Sequence, residues 1–281
     1  MNQQIDNIED RHVFIVSDGT GITAQHLGHS LMSQFENIDF IVTTLPYVDT
    51  EEKAWTTVDK INQINQQTGK QPLLFATLIN QNIRKIISQS EGKLFDLFTA
   101  FLSPMEDVLG TKCSYTMGRS HGLTNVESYQ KRIDAVHYSL DHDDGIKLKG
   151  YNKADLIIVG VSRCGKTPTS IYLAMQFGLR VANYPLTEDD DNAFIELPKS
   201  LLPYKNKLFG ITISAERLHN IRQERRPNSE YAKLSQCQKE INNVEKMFNR
   251  NNIPYINSTF HSIEEISTRM LASLGIERKV I

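Results

Sequence analysis

The sequence predicts two α/β domains: an N-terminal α/β domain over residues 1–149, then a C-terminal α/β domain over residues 150–281 with a mostly parallel sheet. Two observations predict this. Short apolar runs alternate with stretches of helical periodicity in both halves of the chain, and just past its middle a glycine loop separates one such run from a helical pattern.

Taken in order, His12 to Ser17 is an apolar run, Asp18-Gly19-Thr20-Gly21 breaks it, and a helical pattern continues through Met32. A second run, Phe40 to Leu45, precedes an amphipathic stretch from Glu51 to Gln67. A third, Pro72 to Leu78, precedes a helical pattern from Gln81 to about Ser88. Leu94 to Leu109 reads as helix, with Pro104 expected to kink or break it. The stretch to Asn125 is irregular, and a further helix is expected from Val126 to Leu140, closed by Asp141-His142-Asp143-Asp144-Gly145 and followed by a domain boundary near Gly150. In the second half, strands are expected at Asp155 to Val159, Arg180 to Asn183, Leu208 to Ile213 and Ile253 to Asn257. A helix from about Lys166 to Phe177 should stop at Gly178, and a long polar helix should run from about Asn228 to Asn251.

With 281 residues, 40% hydrophobic and 23% charged, the chain has the composition of an ordinary globular protein. A formal net charge of -2 gives no bulk attraction to nucleic acid or anionic lipid, so any phosphate site must be local. Cys113, Cys164 and Cys237 lie far apart, without metal-ligand spacing or an even count for a disulfide framework. No signal-peptide pattern and no run of about 18 apolar residues is present, so the cytoplasm is the expected compartment and membrane spanning is not expected. Asn257-Ser258-Thr259 matches a glycosylation sequon, which without an export signal is read as chance.

Gly160-Val161-Ser162-Arg163-Cys164-Gly165-Lys166-Thr167 fits G-x-x-x-x-G-K-[ST] at every fixed position, between an expected strand and an expected helix. Glycine dihedrals let consecutive N–H groups turn inward around phosphate oxygens, helped by the positive end of the helix. This is a P-loop, and it makes the C-terminal domain kinase-like: Lys166 supplies a charge for the terminal phosphates and Thr167 a magnesium ligand. Arg163 is expected either to help hold phosphate or to face solvent, and Cys164 to pack rather than react. Asn152-Lys153-Ala154-Asp155 resembles a guanine-reading motif, but Asp155 opens the strand that delivers the P-loop and so belongs at the opposite end from the phosphates.

Arg222, Arg225 and Arg226 are spaced to place two arginines on one helix face, either as a lid over a transferring phosphoryl group or as a solvated face balanced by Glu216 and Glu224. Arg225 is taken as the catalytic candidate. Acidic candidates are Asp143 and Asp144, with Asp144 preferred, and the run Glu188 to Asp191, in which Asp189 or Asp190 would follow a neighbouring strand. The Asp18 to Thr23 junction is a second candidate anion site, and Arg119-Ser120-His121-Gly122 a third place where phosphate contact is conceivable.

Val16-Ser17-Asp18-Gly19-Thr20-Gly21-Ile22-Thr23, His142-Asp143-Asp144-Gly145, the P-loop with Pro168-Thr169-Ser170, and Asn257-Ser258-Thr259 together resemble the bifunctional kinase and pyrophosphorylase regulators of dikinases, over nearly the whole chain. Asp10 to Phe14, Ile171 to Gly178 and Glu224-Arg225-Arg226 resemble the branch that regulates phosphoenolpyruvate synthase rather than pyruvate, phosphate dikinase. The resemblance implies an ADP-dependent serine/threonine-protein kinase that phosphorylates a threonine of phosphoenolpyruvate synthase. It equally implies a phosphate-dependent pyrophosphorylase that removes the group. Its substrates would be ADP and inorganic phosphate, with Mg2+ as cofactor, and the N-terminal domain would help dock the protein partner. Gly160 to Thr167 carry over as the nucleotide loop; no general base carries over. A small-metabolite kinase and a nucleotide-sensing module without chemistry are the other readings, and homo-oligomerisation is left open.

Overall fold

A computed structural model of the chain describes residues 9–114, 126–145, 147–186 and 196–276. It forms two compact units, Met1–Gly122 and Leu123–Ile281.

The first unit contains β1 (Glu9–Ser17), α1 (Ile22–Met32), β2 (Ile38–Leu45), α2 (Glu51–Thr68), β3 (Leu73–Thr77), α3 (Gln81–Ile87), β4 (Lys93–Asp96) and α4 (Leu97–Leu109). Its four strands are parallel in the order β2-β1-β3-β4. Because strand side chains alternate, β1 feeds both faces. Phe14 and Val16 join Leu74 and Ala76 against Ala54, Val58 and Ile61 of α2 and Ile83 and Ile87 of α3. Val13 and Ile15 join Phe75 against Ala24 and Met32 of α1 and Leu97 of α4. A sheet covered on both faces explains why its central strand reads as an unbroken apolar run.

One strand escaped the sequence reading. Lys93–Asp96 is not the first turn of a helix but β4, paired with Leu73–Ala76, and Asp96 then caps α4 by accepting a hydrogen bond from Thr99 N at 3.1 Å. Pro104 does not break α4, in whose interior it sits. The carbonyl that loses its donor is that of Ala100, an exposed residue, so solvent can satisfy it.

The second unit comprises α5 (Val126–Asp141), β5 (Leu156–Val161), α6 (Lys166–Phe177), β6 (Val181–Leu186), β7 (Leu208–Thr212), α7 (Ala215–Arg225), α8 (Leu234–Asn251), β8 (Tyr255–Asn257) and α9 (Ile263–Ser273), with short 3-10 turns between. Its sheet is parallel in the order β6-β5-β7-β8, the same arrangement as in the first unit. Every residue of β5 is buried. The division between the units falls earlier than the expected boundary near Gly150, because α5 packs on α6 and β6 and Ser139 Oγ of α5 accepts from Val181 N at 3.2 Å. The helix α8 starts six residues later than its polar pattern suggests. Arg226 before Pro227 adopts φ -140, ψ 78, Asn228 is left-handed, and Glu230–Ala232 forms a 3-10 turn. Gly178, at φ 65, stops α6 where expected. Among the described residues no helix is long and apolar enough to cross a membrane.

In both sheets the first strand lies between the second and the third, so the direction of winding reverses at the carboxyl ends of β1 and β5. Parallel α/β sheets bind ligands in the crevice that such a reversal opens.

The close packing over β7 makes a stability test. A Cβ on Gly210 would lie 2.5 Å from the Phe248 ring and 2.7 Å from Tyr255 Cβ. Gly210→Ala is expected to lower unfolding free energy by about 1–3 kcal/mol in urea titrations; an unchanged midpoint would contradict the packing.

Candidate active site

The crevice of the second unit is filled by the turn from Gly160 to Thr167. Gly160 can only be glycine: a Cβ there would meet the Ile211 carbonyl oxygen at 2.3 Å and Cys164 Sγ at 2.8 Å. Arg163 at φ 76 and Gly165 at φ 102 are both left-handed, which curls the main chain between β5 and α6. Arg163 is exposed, whereas Lys166 is 4% exposed and donates from Nζ to the Val161 carbonyl at 2.9 Å. Thr169 Oγ1 donates to the Gly165 carbonyl at 2.8 Å, pinning the loop to the first turn of α6.

Thr167 has a partner that the sequence reading placed second. Its Oγ1 donates to Asp143 Oδ1 at 2.8 Å, and the same oxygen accepts a short hydrogen bond from Asn183 Nδ2. Asn183 is fully buried on β6, and its Oδ1 accepts from Asp144 N at 2.8 Å. Asp144, preferred from the sequence, thus meets this site through its backbone, at φ 48, ψ 33, while Asp143 brings its carboxylate to Thr167. The acidic turn is sewn down from both sides. Asn183 N donates to the His142 carbonyl at 3.1 Å, and the Tyr151 hydroxyl donates to the Asn183 carbonyl at 3.0 Å. The His142 ring stacks on Tyr138 with centroids 4.0 Å apart. Gly150 at φ 124 lets the chain pass the His142 ring, where a Cβ would sit 2.5 Å from Nε2. Burial raises the Tyr138 hydroxyl to about 12, so it is protonated at neutral pH and donates to the Gly150 carbonyl at 2.9 Å.

Two hard oxygen donors, the Thr167 hydroxyl and the Asp143 carboxylate, therefore stand together at the head of α6. Magnesium takes one or two protein oxygens and fills its remaining positions with phosphates and water, so this pair fits it. Among the described residues no group of three or more His, Cys, Asp or Glu side chains gathers to make an all-protein metal cage.

Arg222 is not on a lid. It is 1% exposed and sends both terminal nitrogens to Glu240, Nη1 to Oε1 at 3.0 Å and Nη2 to Oε2 at 2.7 Å. Its guanidinium lies 3.9 Å over the Tyr231 ring, and Nη2 also donates to the Ser162 carbonyl at 3.2 Å. Neither reading offered by the helical spacing, a lid or a solvated face, holds for Arg222, because its partner lies eighteen residues away on α8. Arg225 and Arg226 are exposed at the end of α7. Asp189, with Glu188, Asp190 and Asp191, lies outside the described residues, as does Arg119-Ser120-His121-Gly122.

Asn257-Ser258-Thr259, read as a chance sequon, is part of the loop's support. Ser258 Oγ lies 3.0 Å from the Cys164 carbonyl oxygen and 2.9 Å from that of Thr212, its hydroxyl donating between them. Thr259 Oγ1 accepts from Ser214 N at 2.7 Å. Periodicity carries no trace of these contacts; the sequence signals are the polar triplet at the end of a strand and its place among the motifs of the family resemblance. Asp155 sits ahead of β5, at the end remote from the loop, and pairs with Arg180 through both carboxylate oxygens, Nη2 to Oδ1 at 2.9 Å and Nε to Oδ2 at 3.2 Å. This excludes it from reading a base beside the phosphates.

The corresponding position of the first unit carries different contacts. Asp18 Oδ2 accepts from Ile79 N at 2.6 Å and Asn80 N at 3.0 Å. The amides that an anion would use after β3 are already held by a carboxylate.

Two tests follow from these contacts. Arg222→Ala leaves Glu240 buried without its partner and is expected to cost about 3–5 kcal/mol of unfolding free energy, against less than about 0.5 for Arg225→Ala; similar values for the two would contradict the assignment. Cys164 and Cys237 are buried, and burial raises both thiols above their ordinary values. Each stays protonated in the folded chain at a pH where an exposed cysteine is partly thiolate. Iodoacetamide at about pH 8.5 should therefore modify part-exposed Cys113 first and the other two only on unfolding. Peptide mass mapping reads this, and early labelling of Cys164 would contradict it.

The kinase/pyrophosphorylase family profile matches residues 13–271. A protein of Legionella pneumophila (strain Corby) is 55% identical over 270 residues, 96% of this chain and 99% of its own length, and bears the name "Putative phosphoenolpyruvate synthase regulatory protein". Proteins with the same name from Stutzerimonas stutzeri (strain A1501) and Pseudomonas aeruginosa (strain LESB58) are each 52% identical, covering 96% of this chain and 99% and 98% of their own lengths. The family profile over most of the chain and relatives above 50% identity from end to end agree: the chain belongs to the kinase/pyrophosphorylase family.

Proposed function

We propose that the chain regulates phosphoenolpyruvate synthase in the cytoplasm by adding a phosphoryl group to one of its threonines, with ADP as donor, and by removing it with inorganic phosphate. The observation that carries this is the loop Gly160 to Thr167 with Lys166 and the Thr167–Asp143 pair at its mouth, and the relatives' name supplies the target.

In the forward direction the threonine oxygen attacks the β-phosphorus of ADP, the bond to the bridging oxygen breaks, and AMP leaves. In the reverse direction an oxygen of inorganic phosphate attacks the phosphothreonine, the threonine oxygen leaves, and pyrophosphate forms. Each reaction moves one phosphoryl group between a threonine oxygen and a phosphate oxygen. The same ring of main-chain amides serves both when it holds the α-phosphate of ADP in one and inorganic phosphate in the other. Lys166, released from the Val161 carbonyl, is the mobile cation for the transferring group. Thr167 and Asp143 would hold Mg2+, which screens charge on the phosphates. Arg225 and Arg226, exposed at the end of α7, would be the arginines free to meet the protein substrate.

The test is incubation of purified phosphoenolpyruvate synthase with ADP labelled in its β-phosphate. Label is expected on a threonine, with release on adding inorganic phosphate; label on a small metabolite instead, or none, contradicts the proposal. Lys166→Ala and Asp143→Asn should each lower transfer by about a hundredfold or more with the fold intact, and wild-type rates in either would remove its assigned role.

A further inference from the structure

The amides of the loop point inward only if the carbonyls between them point outward. In a trans peptide the C=O of one residue and the N–H of the next face opposite ways. A donor that grips a carbonyl from outside therefore aims the following N–H toward the centre. Two carbonyls of the loop are gripped in this manner. The Ser162 carbonyl accepts from Arg222 Nη2 at 3.2 Å, and the Cys164 carbonyl, 3.0 Å from Ser258 Oγ, shares that hydroxyl's proton with the Thr212 carbonyl. Neither donor belongs to the P-loop motif; one comes from α7 and the other from the turn after β8.

We propose that Ser258 and Arg222 are positioning residues for phosphate: they hold the Ser162 and Cys164 carbonyls outward and so aim the N–H groups of Arg163 and Gly165 at the anion. The inference rests on the phosphate-binding reading of the loop. Each donor is itself fixed. Arg222 is locked by its two bonds to Glu240, and the Tyr231 hydroxyl, beneath the same guanidinium, donates to Ser162 Oγ at 3.0 Å. Ser258 keeps a main-chain bond from its N–H to the Thr212 carbonyl at 2.8 Å, which no change of side chain removes. That second tie makes Ser258 the cleaner position to test, since the turn keeps its path when the hydroxyl is lost. With the left-handed dihedrals of Arg163 and Gly165, the two anchors set the loop before any ligand arrives, so less ordering remains to be done on binding.

The experiment titrates ADP and inorganic pyrophosphate, each with Mg2+, into the full chain by calorimetry, comparing wild type with Ser258→Ala, Ser258→Cys and Thr259→Ala. Thr259 braces the same turn through Ser214 N without touching the P-loop and serves as a matched control. Both Ser258 variants are expected to bind each ligand about five- to tenfold more weakly, and Thr259→Ala as wild type does. A Ser258→Cys thiol keeps the side-chain size with a weak donor, so the test survives if the alanine variant folds poorly. As a readout that general loosening would not give, the downfield shift of the Gly165 amide proton on adding pyrophosphate should shrink in the Ser258 variants and persist in Thr259→Ala. Wild-type affinity in both Ser258 variants, or an equal loss in Thr259→Ala, overturns the inference while leaving the proposed function standing. Failure of the wild-type chain to bind either ligand overturns both.

Discussion

A site made from main-chain N–H groups has a cost built into it: every amide turned toward the anion turns a carbonyl away, and that carbonyl needs a donor of its own. The second unit meets this requirement in several ways. Arg222 takes the Ser162 carbonyl, Ser258 the Cys164 carbonyl, Thr169 the Gly165 carbonyl, and Lys166 the Val161 carbonyl. The last bond differs in kind, because its donor is also the cation expected to meet phosphate. Lys166 is the one donor in the set that ligand binding would be expected to recruit, while the others keep the loop in shape.

The surrounding fold reads as support for those donors. Burying Arg222 with Glu240 is expensive in solvation, and such pairs contribute little net stability; what this pair supplies is a fixed direction for the guanidinium beneath the loop. Gly160 brings β5 so close to the Ile211 carbonyl that no side chain fits between, which fixes where the turn leaves the sheet. On the other side, Asn183 reaches from β6 to both the Asp143 carboxylate and the Asp144 amide, so the acidic turn is set against Thr167 by a residue that bears no charge. The same strand order in the first unit shows how much depends on loop chemistry. There the carboxylate of Asp18 occupies the Ile79 and Asn80 amides just past the end of β3, so the same topology carries a different set of contacts.

Much of this was legible in the sequence where the signal is local. The strand-turn-helix placement of the glycine loop, the helix from Lys166 to Phe177 with Gly178 as its stop, and the burial of Cys164 follow from spacing, glycine position and the neighbouring apolar run. What could not be read depends on partners far along the chain. Arg222 has the same helical spacing whether it faces solvent or Glu240. Asp143 and Asp144 are adjacent acids told apart by Thr167 and by Asn183, about twenty-four and forty residues later. Ser258 acts on a carbonyl ninety-four residues away, and its triplet carries a more familiar pattern with another meaning. The four residues of β4 are too short to show a period and run straight into α4.

If one ring of amides with one ammonium group receives the phosphates of both proposed reactions, ADP and pyrophosphate must exclude each other. Competition calorimetry on the wild-type chain tests it most directly: ADP with Mg2+ is titrated alone and then in the presence of saturating inorganic pyrophosphate. The expected result is a single ADP site whose apparent affinity falls in proportion to the pyrophosphate present. Undiminished ADP binding at saturating pyrophosphate would place the two anions in separate sites and contradict the account.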